Sequence, residues 1–568
     1  MRKILGRRRF LLAGSGLVGT SLLAACGQAA PPTAAPPKPA EPAKPAAPEP
    51  TKPAEATKPA AEPAKAAAPA EPTKPAAEPT KPAAEPTKPA VAAAPAAAAP
   101  KGGKWAGKTF RYAGLTSMGS MVEQYAKPWF DQTGAKMERG EFGQQEMEDK
   151  VMQSVATNTH LADVIQFNSN SSGDVMGAGY LLEVPNDVKT AVDWDDVLPI
   201  FRERILSWKG KVFALPYDGD THNMAFRRDL FLDADNQAKF KSKFGYDLDP
   251  ENGPRDWVEH RNVSEFFTGW DWNKDGKVEE AGFAHMTKRK DTGWWGFHSR
   301  AGAYAKHPDD PGYFFDLDTF EPRVNNPAFV RALTEWKEEC DKWAPKGILG
   351  YGWGEVLEAY AAARAAMCIG WGDHGTIAQD TTRSVIKGKS GYGLNPGSKE
   401  VYNAKAKKWD KQNTISYAPF VAFGGWVIAV PKTTKQPDVA WDFASFVSSK
   451  ETSLKMVTGP TGVNPLRYSH FDTKPWVNST FKWEEAEAKR YLDAIKRTLE
   501  HPNIIMDLRI PGWVQYRDAL ELAISKGLAG EAAPEAALDE AAEAWKQVSQ
   551  RMGGAGKQKD IYAAAVGK

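Results

Sequence analysis

Residues 210–231 read GKVFALPYDGDTHNMAFRRDLF, and the architecture of the chain turns on this stretch. Two short runs of β-branched and aromatic residues, 212–215 and 224–226, flank the polar bend Tyr217-Asp218-Gly219-Asp220-Thr221-His222. Pro216 stops the first run, and Gly219 frees the backbone just past it. The pattern fits a strand leaving one lobe, a crossing segment, and a strand entering a second lobe. It also fits an ordinary hairpin loop. In the two-lobe reading, a hinge and a ligand cleft coincide at the crossing.

The sequence before this stretch alternates strands and helices. Residues 108–114 (KTFRYAG) read as a strand, followed by a helix over 118–134 with Met121, Val122, Tyr125, Trp129 and Phe130 on its apolar side. A second strand spans 135–142, and a helix over 144–156 carries Met147, Val151, Met152 and Val155. Residues 162–167 (ADVIQF) are apolar almost throughout, as in a buried parallel strand. Such alternation predicts an α/β fold whose ligands bind at the carboxyl ends of the strands. Thr116, Ser117, Phe167, Asn168 and Asn170 sit at such ends.

Residues 1–26 read as an export signal: a basic head, an apolar middle too short and Gly-broken to span a bilayer, and small residues before Cys26. Arg7-Arg8-Arg9-Phe10-Leu11 resembles the twin-arginine motif, while the basic head also suits Sec export. Leu23-Ala24-Ala25-Cys26 resembles a bacterial lipobox, which makes Cys26 the candidate lipidation site. The spacing G-x-G-x-x-G at 14–19 is discounted, because no strand precedes it and it lies within the signal. Residues 27–103 are a Pro/Ala/Lys/Glu spacer in which EPTKPAA recurs from Glu71 and Glu78. Stretched as polyproline II at about 3.1 Å per residue, it would reach roughly 200 Å.

The remainder is long enough for two large lobes. A formal net charge of +2 for 568 residues argues against nucleic acid as a partner. Besides Cys26 there are only Cys340 and Cys368, read as two buried thiols rather than a disulfide, and no spacing suits zinc or redox chemistry.

Six stretches in order resemble the bacterial extracellular solute-binding proteins that include the maltose-binding protein. They are ADVIQFNSN (162–170), GAGYLLEVP (177–185), the opening stretch, AARAAMCIGWGD (362–373), GGWVI (424–428) and GEAAPEAALDEA (530–541), and PGWVQYRDAL (511–520) carries a further match at Trp513. The resemblance implies a two-lobed periplasmic-binding-protein fold (type II), each lobe a mainly parallel sheet flanked by helices and joined by hinge strands. On this reading 104–217 with 425–472 form the N-terminal lobe. Residues 221–422 with 473–552 form the C-terminal lobe, with an insert at about 233–323, and 553–568 form a tail. It further implies capture of a solute, a carbohydrate first and a peptide or polyol second, and its delivery to an ABC permease and its ATPase. No catalytic group or cofactor is then needed. The expected molecule is a monomer, lipid-anchored on the outer face of the cell membrane. Arg227-Arg228 departs from the family's usual return strand.

Candidate ligand contacts follow from chemistry and resemblance together. Indole faces suit the C–H faces of sugar rings, and amides, carboxylates and guanidinium suit their hydroxyls. Trp371 and Trp513 match stacking aromatics of the family. Tyr217, Asp218 and Asp220 lie on the crossing, Phe167, Asn168, Asn170 and Ser117 at strand ends, and Trp426 and Arg467 near the expected cleft; Trp294, Trp295 and Trp353 are further candidates. Replacing Trp371 by Ala is expected to weaken binding by about 1–3 kcal/mol and hardly alter stability if the ring stacks on solute.

Asp271, Asn273 and Asp275, with Gly276 and Lys277 following, open an EF-hand-like loop, and Glu279 or Glu280 would have to complete it because position 12 is Gly282. Structural Ca²⁺ and an unoccupied turn both fit. A secreted carbohydrate-active enzyme is the remaining rival. It would need two carboxylates flanking a glycosidic bond, and no H-E-x-x-H or G-x-S-x-G accompanies the acids.

Overall fold

The computed structural model describes residues 103–278 and 281–568. The export signal, Cys26, the spacer up to residue 102, and Glu279 and Glu280 of the candidate metal loop lie outside the described residues.

Nine strands build two main sheets: β1 (Thr109–Leu115), β2 (Lys136–Phe142), β3 (Val164–Asn168), β4 (Leu215–Pro216), β5 (His222–Arg227), β6 (Ala281–Ala284), β7 (Ala365–Trp371), β8 (Ser390–Gly393) and β9 (Trp426–Ala429). The first sheet has the order β2-β1-β3-β9-β4 and the second β8-β5-β7-β6. The opening stretch therefore joins two sheets and is no hairpin: β4 ends in the first, and β5 begins in the second.

The parallel half of the first sheet follows the sequence closely. The helix Thr116–Thr133 buries Val122, Ala126 and Trp129, spaced to share one face. It stops at Gly134, whose left-handed backbone lets its N–H reach the Phe130 carbonyl. Trp129 packs edge-on against Phe110 and Phe443. β3 is buried at every position because β1 and β9 pair with its two sides. β2 stands at the sheet edge and carries Glu138, Arg139 and Glu141, charges that discourage further pairing.

Several expectations change. The sheets are mixed, not mainly parallel: β1 runs parallel to β2 and β3, but β9 runs antiparallel to β3 and β4. In the second sheet only β6 and β7 are parallel. The reason is the hinge itself, since a strand that carries the chain out of a lobe lies beside one that brings it back. The run 212–215 also divides. Lys211–Val212 pairs with Ser207–Trp208, and β4 starts only at Leu215. Pro216 is accommodated because β4 is an edge strand.

The insert at 233–323 is more than a rim. It supplies β6 and the helix Gly293–Ala305, every residue of which is buried. Its Trp294 stacks on Phe314 and meets Trp513 edge-on, with ring centroids 5.5 Å apart in each case. The expected tail at 553–568 instead contains the helix Ala555–Ala565. There the buried Tyr562 hydroxyl accepts hydrogen bonds from the Tyr313 and Phe314 amides. Cys340 and Cys368 are free and buried. Among the described residues no helix is long and apolar enough to cross a membrane.

The chain changes sheets through 217–221, between β4 and β5, and returns between β8 and β9. Just before β9 three consecutive residues, Phe423, Gly424 and Gly425, adopt positive φ (45°, 80° and 96°). A Cβ at Gly425 would stand 2.2 Å from the Asp218 carbonyl oxygen. Both strain and space therefore demand glycine there. Gly425→Ala is expected to lower the unfolding free energy by about 2 kcal/mol or more in urea titrations. Gly556→Ala, in a helix with nothing near its Cβ, should leave it unchanged or raise it by up to about 1 kcal/mol.

Candidate functional site

A cavity of about 610 Å³ opens at the carboxyl ends of β1 and β2 and faces the end of β7. From the first sheet's side it is lined by Leu115, Ser117, Met121 and the start of the helix Gln144–Thr157, together with Trp426. From the second sheet's side come Trp353, Trp371, Asp373, Ile377, Arg383 and the insert residues Lys290–Thr292. Asp218, Asp220 and Phe423 line it from the crossings.

The floor is a carboxylate cluster tied to one asparagine. The Asn464 side-chain amide donates to Asp220 (2.7 Å) and to Asp373 (2.8 Å), and its backbone N–H donates to Asp218 (2.8 Å). Asp218 also accepts from the Gly219 amide, and Asp373 from the Trp353 indole N–H at 2.6 Å. All three carboxyls are buried. Burial, then the charge of Asp373, pushes Asp218 up to about 7. Burial also lifts Asp373 to about 6. Asp220 rises well above the usual range through burial and the charges of Asp218 and Asp373.

The structure separates the residues expected from sequence into two groups. Ser117, Asp218, Asp220, Trp353, Trp371 and Trp426 line the cavity. Trp371 is only 6% exposed, however, and sits edge-on to His222, Trp295 and Phe423 with its indole N–H on the Ala422 carbonyl. Trp353 is 37% exposed and offers the freer ring. Removing Trp371 would therefore open a buried aromatic site, and the expectation of unchanged stability gives way to a loss of about 3–5 kcal/mol.

The second group is interior. Trp513 is fully buried beneath Trp294, with the Arg517 guanidinium 5.1 Å from its ring centre. Trp294 and Trp295 are equally buried and donate their indole N–H groups to Asp507. Phe167 is core beside Val427 in the strand pairing. Asn168 donates to Glu148 and accepts the Asn170 amide, which caps a short turn, and Asn170 itself is fully buried. The Tyr217 ring is buried under the crossing. Arg467 is enclosed in the first lobe, where it donates to the Ser448 and Asp193 carbonyls, so it is no cleft-mouth cation.

Asp373 and Asn464 were not singled out from sequence. Asp373 stands two residues beyond Trp371 at the first turn of the helix Asp373–Gln379, a position that favours a carboxylate. Asn464 lies 91 residues further along the chain from Asp373, so only the fold unites them.

The candidate metal loop turns as its Gly demands, with Gly276 at φ +86° and the Asp271 carboxylate accepting the Asp275 and Gly276 amides. Asn273 Oδ1 accepts from Arg227, and Lys277 lies 3.7 Å from Asp275. Two cations thus stand where an oxygen shell would have to close. Among the described residues no group of three or more acids, histidines or cysteines is placed to hold a metal ion.

The sequence profile described as "Bacterial extracellular solute-binding protein" matches residues 120–482. The chain belongs to this family. A curated relative, the mannitol-binding protein of Pseudomonas aeruginosa, is 23% identical over 287 residues, which is 50% of this chain and 56% of the relative. The match thus spans little more than half of that relative's length. Among solved structures, this solute-binding protein shares its fold with an Agrobacterium radiobacter K84 solute-binding protein in complex with ribitol (22% identity, 77% of this chain and 98% of that one, TM-score 0.62). An Agrobacterium vitis S4 protein with bound D-mannitol is similar (20%, 78% and 99%, TM-score 0.59), as is a maltose-bound protein of T. maritima (17%, 77% and 98%, TM-score 0.59). At these identities the likeness concerns the two-lobed fold.

The raised Asp218 carboxyl gives a signed expectation. Its protonated form is favoured by folding, so stability is full below the unfolded-state value near 4 and falls as pH rises from there to about 7. Asp218→Asn keeps an oxygen for the Gly219 and Asn464 amides and has no charge to bury. Its melting temperature should exceed that of the parent at pH 8, and the difference should vanish at pH 3.5; differential scanning calorimetry at the two pH values checks this.

Proposed function

We propose that this protein is the extracytoplasmic receptor of an ABC-type importer, capturing a small polyhydroxylated solute, a sugar or polyol, and releasing it unchanged to a membrane permease. The observation that carries the proposal is the cavity between the two sheets. Its volume suits a solute of that size, and it combines aromatic walls with the convergent polar groups of Asp218, Asp220 and Asp373. The relatives known to hold mannitol, ribitol and maltose support both halves of the solute class.

The lobes of this reading are 104–217 with 425–472, and 221–422 with 473–552. A solute lying across the cavity gains contacts from both only when they close, so binding shifts the population toward the closed form. Ser117 and Trp426 would meet it from the first lobe, Trp353 and Trp371 from the second, and Asp218 and Asp220 at the crossing. Nothing in this mechanism alters a covalent bond. Tethering through a lipid on Cys26, with the spacer as a stalk, would keep the receptor near its permease.

Titrating the protein with hexitols, pentitols, hexoses and maltose while following tryptophan fluorescence should reveal saturable binding of at least one. The solute recovered afterwards should be chemically intact. Trp353→Ala should weaken that binding five- to thirtyfold, or about 1–2 kcal/mol, with little loss of stability because the ring is partly exposed. An unchanged affinity would remove Trp353 from the contact surface.

Calcium in the 271–282 loop is a separate proposal, supported by the order of its oxygen-bearing residues and opposed by Arg227 and Lys277. Calcium at a hundred times its dissociation constant would add about 2.7 kcal/mol of stability. A melting temperature that is equal in EDTA and in millimolar calcium identifies a plain turn.

A further inference from the structure

Within the reading of two lobes that close on a solute, on which this inference rests, the far side of the hinge carries a device of its own. A second cavity, of about 540 Å³, lies between the same two lobes. The first lobe lines it with Leu198, Ile200 and Arg204, and the second with Tyr313, Leu499 and Ile505. It shares no lining residue with the cleft.

Arg509 stands between the two cavities. Its buried guanidinium, carried by the second lobe, reaches into the first. There it donates to the Ser169 carbonyl (3.1 Å) and the Ser172 hydroxyl (2.8 Å), and also to the carbonyls of Arg204 and Ile205. Ser169 is tied to the cleft wall, because its hydroxyl donates to the Phe423 carbonyl, whereas Arg204 lines the second cavity. A guanidinium held on both sides in this way is a fulcrum. A rotation about it that narrows the cleft widens the second cavity.

A strap crosses the widening side. The helix Ala555–Ala565 is fastened to the second lobe, where the Tyr562 hydroxyl accepts the Tyr313 and Phe314 amides, each at 3.0 Å. One turn earlier the buried Gln558 donates to the Pro511 carbonyl at 3.1 Å. Past the helix, Val566 lines the second cavity and Gly567 lies against the first lobe. A Cβ at Gly567 would stand 2.3 Å from Arg204 Nη2. The segment thus touches both lobes on the side of the hinge away from the cleft. Closing the cleft would draw Arg204 away from Gly567 and expose Val566 and the apolar lining to water, which costs free energy. Solute binding has to overcome that cost, so the apparent affinity is lowered.

We infer that the helix Ala555–Ala565 and residues 566–567 form a brake on closure, an intramolecular contact that holds the lobes apart and weakens solute binding.

Two substitutions at opposite ends of the strap test this in the full chain. Arg204→Ala removes the first-lobe contact but keeps the carbonyl that Arg509 uses, and Tyr562→Phe loosens the second-lobe anchor. Calorimetric titration with a sugar or polyol that binds the parent should show at least threefold tighter binding in each. The double variant should gain little beyond the better single one, since a strap cut at one end is already slack. Gly556→Ala, in the same helix with nothing near its Cβ, should bind like the parent. Loss of folded structure does not tighten binding, so a lowered melting temperature in Tyr562→Phe cannot imitate the result. Unchanged or weaker binding in Arg204→Ala overturns the inference and leaves the receptor reading standing. If no sugar or polyol binds the parent, the receptor reading falls, and the solute-free protein still decides the strap. Single-molecule energy transfer between one dye on each lobe should then show a larger closed population in Arg204→Ala than in the parent, and an equal population overturns the brake.

Discussion

Asp218 is the knot of this structure. Its backbone N–H donates to the Trp426 carbonyl, which joins the outgoing crossing to the returning one. Its carboxylate takes the Gly219 amide and, from a third part of the chain, the Asn464 amide. One residue thereby binds together the places where the chain passes between sheets. Because it also lines the cavity, whatever enters the cleft acts directly on the hinge. The positive φ values at 423–425 and the absence of room for a Cβ at Gly425 follow from the same close approach of two backbones.

The hinge also explains the electrostatics. Carboxyls are poorly solvated at a point where three chain segments meet, so burial lifts Asp218, Asp220 and Asp373 above the usual carboxylate range. An empty receptor gains nothing in stability from such a cluster. A receptor that must favour closure only when filled does gain, because the guest supplies the interactions that the open form lacks. Behind this floor, Asp507 accepts the indole N–H groups of Trp294 and Trp295 and the Phe423 amide, fixing the returning crossing against the core of the second lobe.

The fold was legible in local signals of strong period. The Val122, Ala126 and Trp129 face and the unbroken apolar run of β3 allow only a helix on a buried strand. The polar bend at 217–222 is flanked so distinctly that the crossing could be placed within a residue or two. The sheets' mixed direction was not legible, because direction depends on which distant strand lies alongside. The site was legible only in part. Asp218, Asp220 and Trp371 sit in motifs next to the hinge, whereas Asn464 is gathered from far along the chain and carries no local mark. Trp513 and Arg467 show the opposite failure: each belongs to a motif near the cleft in sequence, yet packing of the 293–305 helix over one and of first-lobe carbonyls around the other withdraws both.

The central claim is that a solute closes two lobes about the Asp218 hinge and is not changed by doing so. Small-angle X-ray scattering on the purified protein, with and without a saturating solute found by titration, tests it most directly. The account requires a smaller radius of gyration in the bound state and full recovery of the starting profile once the solute is dialysed away. A saturated protein whose profile is superimposable on that of the empty one would contradict it.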